Sequence, residues 1–312
     1  MTATPSDSPN SAASSAPSAP GPSAPGPSAP GEALADRNRP PPGTRRRLSK
    51  ALGPRRFGRV NWLGLWSLYL KEVRRFMNVA TQTVAAPVVT TLLFLAIFTL
   101  ALGRSVETVQ GVTFSQFLAP GLIMMAMVQN AFANTSSSLV ISKIQGNIVD
   151  VLMPPINETE FVVAYAAAGM TRGLVVGASV GIVMAFFVTV EIHHLWAVLF
   201  FSTAASLMLS SIGIIAGIWA DKFDHMAAIT NFVITPFAFL SGTFYSIERL
   251  PQPFYDIAHL NPFFYMIDGF RYGFIDSSDA SPWLGVAVMS AINIALLVTS
   301  WMLVRRGWKL KA

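Results

Sequence analysis

Histidines and carboxylates are the side chains that this chain could use for acid–base chemistry, and they form no familiar catalytic pattern. No His-Glu-x-x-His motif is present, and Asp268, nine residues after His259, makes the strongest pair in the sequence. That pair would suit an outward-facing membrane transferase. Hydrogen bonding within a broken helix explains it better. The four histidines are His193, His194, His225 and His259.

A phosphate-binding loop for a nucleotide is also missing from the sequence. There is no Gly-x-x-x-x-Gly-Lys-Ser/Thr motif, and no lysine follows a glycine anywhere in the chain. The chain has no cysteine, which excludes disulfides and thiolate metal sites. We therefore expect no cofactor and no metal on this chain. If it transports a substrate, the energy must come from an ion gradient or from a separate ATPase.

The composition is that of a membrane protein. Only 12% of the 312 residues are charged, against about 25% in soluble domains, and the mean hydropathy is +0.49. Uncharged runs of about 20 residues are long enough to cross a bilayer as helices. The sequence predicts an all-α membrane protein with six spans, at about residues 82–103, 117–140, 161–190, 195–219, 226–245 and 283–304.

The N-terminal part differs in composition from the rest. Residues 1–44 are mostly Ser, Ala, Pro and Gly, and a basic run follows up to residue 59. Such a segment cannot bury a core, so we predict a disordered cytoplasmic tail over 1–59 and a transmembrane domain over 60–312. A dispensable extension is favoured over a tether. The basic run is expected to meet anionic lipid headgroups rather than nucleic acid, because the cations cluster beside membrane segments.

The distribution of cations predicts the orientation. With both termini in the cytoplasm, the inner segments hold 18 of the 22 Lys and Arg residues, and the outer segments hold three. The remaining one, Arg172, falls inside the third span. This bias follows the positive-inside rule and indicates a multi-pass protein of the plasma or inner membrane.

Residues 62–78 have the pattern of an amphipathic helix in the cytoplasmic interface, with aromatic side chains on one face and cations on the other. The defining residues are Trp62, Trp66 and Tyr69 on the first face and Lys71, Arg74 and Arg75 on the second.

The inner loop over residues 142–160 is long for a tight bundle, which suggests a function. We predict one short helix over residues 147–152, ended by Pro154 and Pro155, a form suited to docking a partner subunit. The docking segment comprises Asn147, Ile148, Val149, Asp150, Val151, Leu152, Met153, Pro154 and Pro155.

The stretch over residues 231–274 is apolar and aromatic but is broken by Pro236 and by Ser241-Gly242. Its second half is too short to span a bilayer and is typical of a re-entrant segment. We predict a partly inserted lip on the outer side, in the form of a helical hairpin before the last span. Its predicted gate residues are Phe254, Tyr255, Asn261, Pro262, Phe263, Asp268 and Arg271.

Three features inside the spans left alternatives open. Glycines at every fourth position of the third span indicate close helix packing, within one chain or between two. Arg172 beside them either serves transport or snorkels to the inner interface. The polar inner half of the second span, from Gln129 to Ser138, either bonds to neighbouring helices or lines a path. The glycines are Gly169, Gly173, Gly177 and Gly181.

Several stretches resemble the permeases of ABC-2 type exporters, in particular those for nodulation factors and drugs. The resemblance covers roughly residues 60–310. Its most specific stretch is Leu-Asn-Pro-Phe-Phe-Tyr-Met-Ile-Asp-Gly-Phe-Arg-Tyr-Gly, which begins at Leu260. Further matches are Phe-Leu-Ala-Pro-Gly-Leu-Ile from Phe117, Leu-Met-Pro-Pro from Leu152, and Leu-Ser-Gly-Thr-Phe-Tyr-Ser from Leu240.

The resemblance implies six spans, an interfacial helix before the first, and an outer re-entrant hairpin before the last. It also implies that residues 147–155 dock on a cytoplasmic ABC ATPase, which binds the ATP, and that residues 252–274 form an outer gate. A second permease, either a copy or a paralogue, would complete the dimer. On this basis the chain is expected to be a non-enzymatic permease subunit that exports an amphipathic, drug-like, lipid-like or glycan substrate. The alternative is a gradient-driven secondary transporter, for which the sequence offers neither an internal repeat nor a carboxylate well inside a span.

Overall fold

The computed structural model describes residues 60–103, 108–247 and 251–309. The predicted tail over residues 1–59 lies outside these residues and stays a prediction. The main elements in chain order are α1 (Trp62–Met77), α2 (Ala80–Leu102), β1 (Thr108–Val109), β2 (Val112–Thr113), α3 (Phe114–Ile144), α4 (Ile148–Leu152), α5 (Glu158–Met184), α6 (Leu195–Trp219), α7 (Phe223–Ile229), α8 (Thr235–Leu240), α9 (Gln252–Leu260), α10 (Pro262–Ile275) and α11 (Pro282–Arg306).

The described residues contain six helical segments that are long and apolar enough to cross a membrane. They are α2, α3, α5, α6, α11 and the continuous helix over Phe223–Leu240, in which α7 and α8 are joined by a π-helical turn at Thr230–Ile234. A helix of 23 residues such as α2 is about 34 Å long, enough for a hydrocarbon core of about 30 Å. The all-α, six-span prediction is confirmed.

Three predicted span ends were wrong by four to six residues, and the second, third and fifth spans each begin three residues earlier than predicted. The second helix continues to Ile144. The third ends at Met184 rather than near residue 190, because the β-branched run Val188-Thr189-Val190 does not favour helix. The fifth ends at Leu240 rather than near residue 245. There, Gly242 has a φ of +74°, a left-handed conformation that stops a helix and that glycine adopts without strain.

Helix α3 forms the centre of the bundle. It is buried along most of its length and packs against α5, α6, α10 and α2. Small residues allow these helices to approach closely. A Cβ atom added at Gly173 would lie only 2.8 Å from the hydroxyl of Ser206 and 3.0 Å from the Cβ of Ala131. Gly169 and Gly177 likewise face side chains of this chain, so this glycine face joins helices within one chain. Gly181 has more room, since its nearest neighbour would be 3.7 Å away.

Candidate functional site

The segment that connects α3 to α5 is anchored by its apolar side chains. Helix α4 buries Ile148 and Val151 in a cluster that includes Leu68 of α1 and Phe161 of α5. The predicted short helix is therefore present, and it is fixed to the bundle rather than projecting freely.

The opposite face of this segment is exposed and partly apolar. Val149 is 51% exposed and Met153 is 76% exposed, and Ile144, at the end of α3, is 55% exposed. Apolar surface that is contiguous and rimmed by polar residues is typical of protein interaction sites. We name Ile144, Val149 and Met153 the coupling patch. The other exposed members of the segment are Asn147, Asp150, Pro154 and Pro155.

Glu160 ties this segment to the start of α1, a role that the sequence analysis did not predict. Its carboxylate accepts a hydrogen bond from the backbone N–H of Asn61 at 2.5 Å and another from that of Asn157 at 2.9 Å. The side chain of Asn61 donates in turn to the carbonyl of Pro155 at 3.1 Å. One buried carboxylate therefore caps the start of α5 and holds α1 against the end of the connecting segment.

We expect Glu160→Ala to destabilise this end of the bundle by about 2 kcal/mol, because two backbone donors lose a charged acceptor. Thermal unfolding of the purified chain in one detergent measures the loss. Glu158→Ala, two residues away, is the control and should shift the midpoint far less, since Glu158 is only partly buried. Equal shifts for both variants would contradict the capping role of Glu160.

Helix α1 is rotated relative to the predicted faces. Its buried stripe runs through Leu68, Glu72 and Phe76, while Trp62 and Trp66 are 72% and 55% exposed.

Tyr69 stacks on Trp66 and hydrogen-bonds through its hydroxyl to that of Thr171 at 3.0 Å. On the predicted polar face, Lys71 and Arg74 are exposed but Arg75 is half-buried.

The rotation of α1 is explained by an ion pair. The Nε of Arg75 donates to a carboxylate oxygen of Glu72 at 3.0 Å, and the carboxylate is fully buried. The same guanidinium donates to the carbonyl and the amide oxygen of Asn134 on α3, at 2.7 and 3.1 Å. Because its charge is compensated and its donors are used, Arg75 can face the bundle.

The polar row of α3 bonds to neighbouring helices. Thr135 donates to the carbonyl of Ser210 on α6 at 2.9 Å, and Ser136 donates back to the carbonyl of Phe132 at 2.7 Å. Asn130 accepts from the guanidinium of Arg172 on α5 at 3.2 Å. Asn134 also accepts from Arg75 of α1, so three of the seven polar residues bond to neighbouring helices, as the first alternative predicts, whereas Ser136 and Ser137 bond within α3.

Two lysines close the same end of the bundle. The ammonium group of Lys143 donates to the last carbonyls of α6, at Ile218 and Ala220, where cations are favoured. Asp221 receives Lys143 at 3.3 Å and Lys309 at 2.9 Å. These hydrogen bonds, that from Lys309 first, hold the pKa of the Asp221 carboxyl below its usual range. The end of α3 is therefore fastened to the α6–α7 turn and to the C-terminal segment.

At the opposite end, two successive helices, α9 and α10, meet at Asn261; we call this helix pair the hairpin, and its re-entrant position in the membrane stays a prediction. The amide of this buried residue donates to the carbonyl of Phe237 and to the hydroxyl of Ser241, both at 2.9 Å, and its oxygen caps α10 by accepting from the N–H of Phe263. Pro262 begins α10. Phe254 is exposed, whereas Tyr255 is only partly exposed.

The two charged gate residues lie inside the fold. Arg271 is 1% exposed; it donates to the carbonyl of Gly242 at 2.7 Å and covers the ring of Phe117 with its guanidinium, 3.9 Å from the centroid. Asp268 accepts from the backbone N–H groups of Asp279 and Ala280 at 2.8 and 3.1 Å. Both side chains thereby fix the hairpin to adjoining loops.

Asp279 is a further residue that sequence reasoning missed. Its carboxylate accepts from the hydroxyl of Ser246 at 2.9 Å, the N–H of Ile247 at 3.0 Å and the amide of Gln110 at 2.5 Å. It joins three loops that are far apart in the sequence, and no local pattern marks it. The pairing of His259 with Asp268 finds no support here, because His259 bonds to the carbonyl of Tyr255 instead.

The protein is a helical bundle with six candidate spans. One end carries a connecting segment with a buried and an exposed face, and the other end carries the short helices α9 and α10. This architecture is that of a membrane permease. The ABC-2 type transporter family matches residues 64–275, more than half of the chain. The chain belongs to the ABC-2 type transporter family.

Curated relatives agree with this assignment. The chain is 36% identical over 251 residues to the inner membrane transport permease YadH of Escherichia coli K12, covering 80% of this chain and 98% of that protein. It is 27% identical over 256 residues to nodulation protein J of Rhizobium leguminosarum bv. viciae, covering 80% and 95%. It is 23% identical over 247 residues to nodulation protein J of Rhizobium meliloti, covering 79% and 93%. The protein is thus a membrane permease subunit of an ABC transporter.

Proposed function

We propose that the protein exports an amphipathic substrate, using ATP that a separate cytoplasmic ABC ATPase binds and hydrolyses. Both termini are then cytoplasmic, and a second permease, identical or paralogous, completes the path. The single observation that carries the proposal is the coupling patch, a partly apolar exposed face on a segment that is anchored in the core.

Motion of the ATPase would reach the spans through two connected routes. The coupling patch is continuous with α3, the central helix, through Ile144. It is also joined to α1 through Glu160 and Asn61. Because α1 leads directly into α2, a push on this end displaces α2 and α3 together. The hairpin of α9 and α10 then acts as the outer gate, past which the substrate leaves.

Purification of the chain from its own membranes in gentle detergent, followed by mass spectrometry, tests the partner. We expect a soluble ABC ATPase to accompany the wild type and to be lost from the double variant Val149→Asp, Met153→Asp. Deleting residues 147–155 should also abolish transport, but it removes Ile148 and Val151 from the core as well, so the double variant is the sharper test.

Thr159→Asp is the control for the single variant Met153→Asp, because each adds one negative charge at an exposed position and only Met153 belongs to the coupling patch. It should retain the ATPase. A wild-type preparation without any ATPase would overturn the proposal in favour of gradient-driven transport. For the direction of transport, we expect ATP-dependent accumulation in inside-out vesicles. Accumulation that a proton uncoupler abolishes and ATP depletion leaves unchanged would contradict it.

A further inference from the structure

A groove of about 220 Å³ lies between α2 and α3. The two helices are antiparallel, so the groove has distinct ends. Toward the α1 end of the bundle it is lined by Gln129 and Asn130, and toward the hairpin end by Phe94 and Leu122. Placing a polar side chain inside a membrane costs free energy. Polar residues there often belong to binding sites or to substrate pathways. The remaining lining residues are Ala86, Pro87, Thr90, Thr91, Met125 and Ala126.

A cation lies directly behind the polar end of this groove. Arg172 is the fifteenth of the 27 residues of α5, near its middle. Its Nη2 donates to the amide oxygen of Asn130 at 3.2 Å, and its Nε is buried without a hydrogen-bond partner. The side chain is half-buried, and its guanidinium is held at Asn130 beside the groove rather than extended along α5.

This positive charge is in excess over the local negative charge. The nearby Arg75 is paired with Glu72 at 3.0 Å, and the ion pairs among the residues that the structure describes leave Arg172 out. A charge in a medium of low dielectric constant interacts strongly with an opposite charge, even through one intervening residue. An uncompensated positive charge behind the polar end of the groove favours an anionic head group there over a neutral one.

We propose that the groove between α2 and α3 binds an anionic amphiphile as cargo. The head of the cargo lies at Gln129 and Asn130, where Arg172 supplies the counter-charge. The apolar chain lies along Phe94, Leu122 and Met125. The inference rests on the proposed function, since it names the class of substrate that the exporter takes from the α1 end of the bundle.

Binding to the full chain in phosphatidylcholine nanodiscs tests the site without any ATPase. The probes are fluorescent lysophosphatidate and lysophosphatidylcholine of the same chain length. We expect the wild type to prefer lysophosphatidate by about tenfold, because the positive charge of Arg172 acts on the head group through Asn130. Arg172→Gln should reduce this preference to about twofold or less and leave lysophosphatidylcholine binding unchanged, whereas Arg172→Lys should retain part of it.

Thr90→Trp and Arg74→Gln serve as the second and the control variant. Thr90 is exposed and lines the groove without contacting Arg172, so a Trp there should block both probes. Arg74 is exposed on α1, and Arg74→Gln should preserve the preference. An undiminished preference in Arg172→Gln, or unaffected binding in Thr90→Trp, would overturn the proposal.

Two further outcomes would assign the groove to another occupant and also overturn the proposal. Full displacement of lysophosphatidate by phosphatidylglycerol in the nanodisc would indicate a resident bilayer lipid. If the wild type is a dimer and Thr90→Trp is not, a second copy of this chain occupies the groove. Failure of the proposed function is distinguishable, because it would show as absence of the ATPase while both probes still bind.

Discussion

Replacing Arg271 with Met is expected to destabilise the protein by about 3 kcal/mol. The guanidinium is almost fully buried, and it is the donor to the Gly242 carbonyl at 2.7 Å. Methionine is long enough to fill much of the space, but it leaves that carbonyl without this donor and removes the charge that faces the Phe117 ring. Asp268, on the same helix, would also lose a nearby positive charge.

Arg305→Met is the matched control for this change. Arg305 also lies over an aromatic ring, with its guanidinium 5.0 Å from the centroid of Trp301, but it is exposed at the end of α11. We expect it to change stability by no more than about 0.5 kcal/mol. Thermal unfolding midpoints in one detergent compare the two variants. If Arg271→Met were as stable as the wild type but altered transport, Arg271 would instead contact the substrate, in agreement with its prediction as a gate residue.

The helices of this protein were predictable from sequence because a bilayer imposes length and apolarity on each span. The α1 helix, the short α4 helix and the hairpin at Asn261 also follow from local pattern, since a proline, a cap residue or an apolar stripe acts within a few positions. The errors at the ends of the third and fifth spans are of one kind. Hydropathy continues through Val188 and through Phe244, whereas the backbone has already left the helix.

What the sequence could not supply is the set of contacts between distant segments. Glu160 binds a backbone group 99 residues away, and Asp279 binds a side chain 169 residues away. Arg75, half-buried through its pairing with the buried Glu72, lies on the face that the sequence pattern predicts to be polar. A hydrophobicity pattern cannot predict which charged residue gains a partner from a distant segment. The structural roles of these residues therefore become visible only in the folded protein.

These contacts also explain why one end of the protein is suited to coupling. Asp221 in the α6–α7 turn pairs with Lys143 at the end of α3 and with Lys309 in the C-terminal segment. The start of α1 and the start of α5 share Glu160. If the coupling patch docks on an ATPase as proposed, these contacts would carry its displacement to several spans rather than leave it in a loose loop.

Such transmission also requires close contact between helices. A Cβ atom added at Gly213 would approach its neighbours more closely than one added at any other glycine described, the nearest neighbour being the Thr135 hydroxyl. We expect Gly213→Ala to destabilise the protein by about 2–3 kcal/mol, the cost of forcing atoms into a packed core. The added Cβ would lie 2.7 Å from the backbone oxygen of Phe132, and a backbone oxygen cannot rotate away. It would also collide with the hydroxyl of Thr135, which donates to the Ser210 carbonyl between α3 and α6.

Gly181→Ala separates this steric effect from any general cost of replacing a helical glycine. Its Cβ would meet nothing nearer than 3.7 Å, so the substitution should be neutral or slightly stabilising. The two variants differ by the same single methyl group from the wild type, and their unfolding midpoints in one detergent measure the difference. If both unfolded at the same midpoint, close contact between α3 and α6 at Gly213 would not limit stability. If only Gly213→Ala lost stability and ATP-dependent transport together, that contact would be part of the path by which the coupling patch moves the spans.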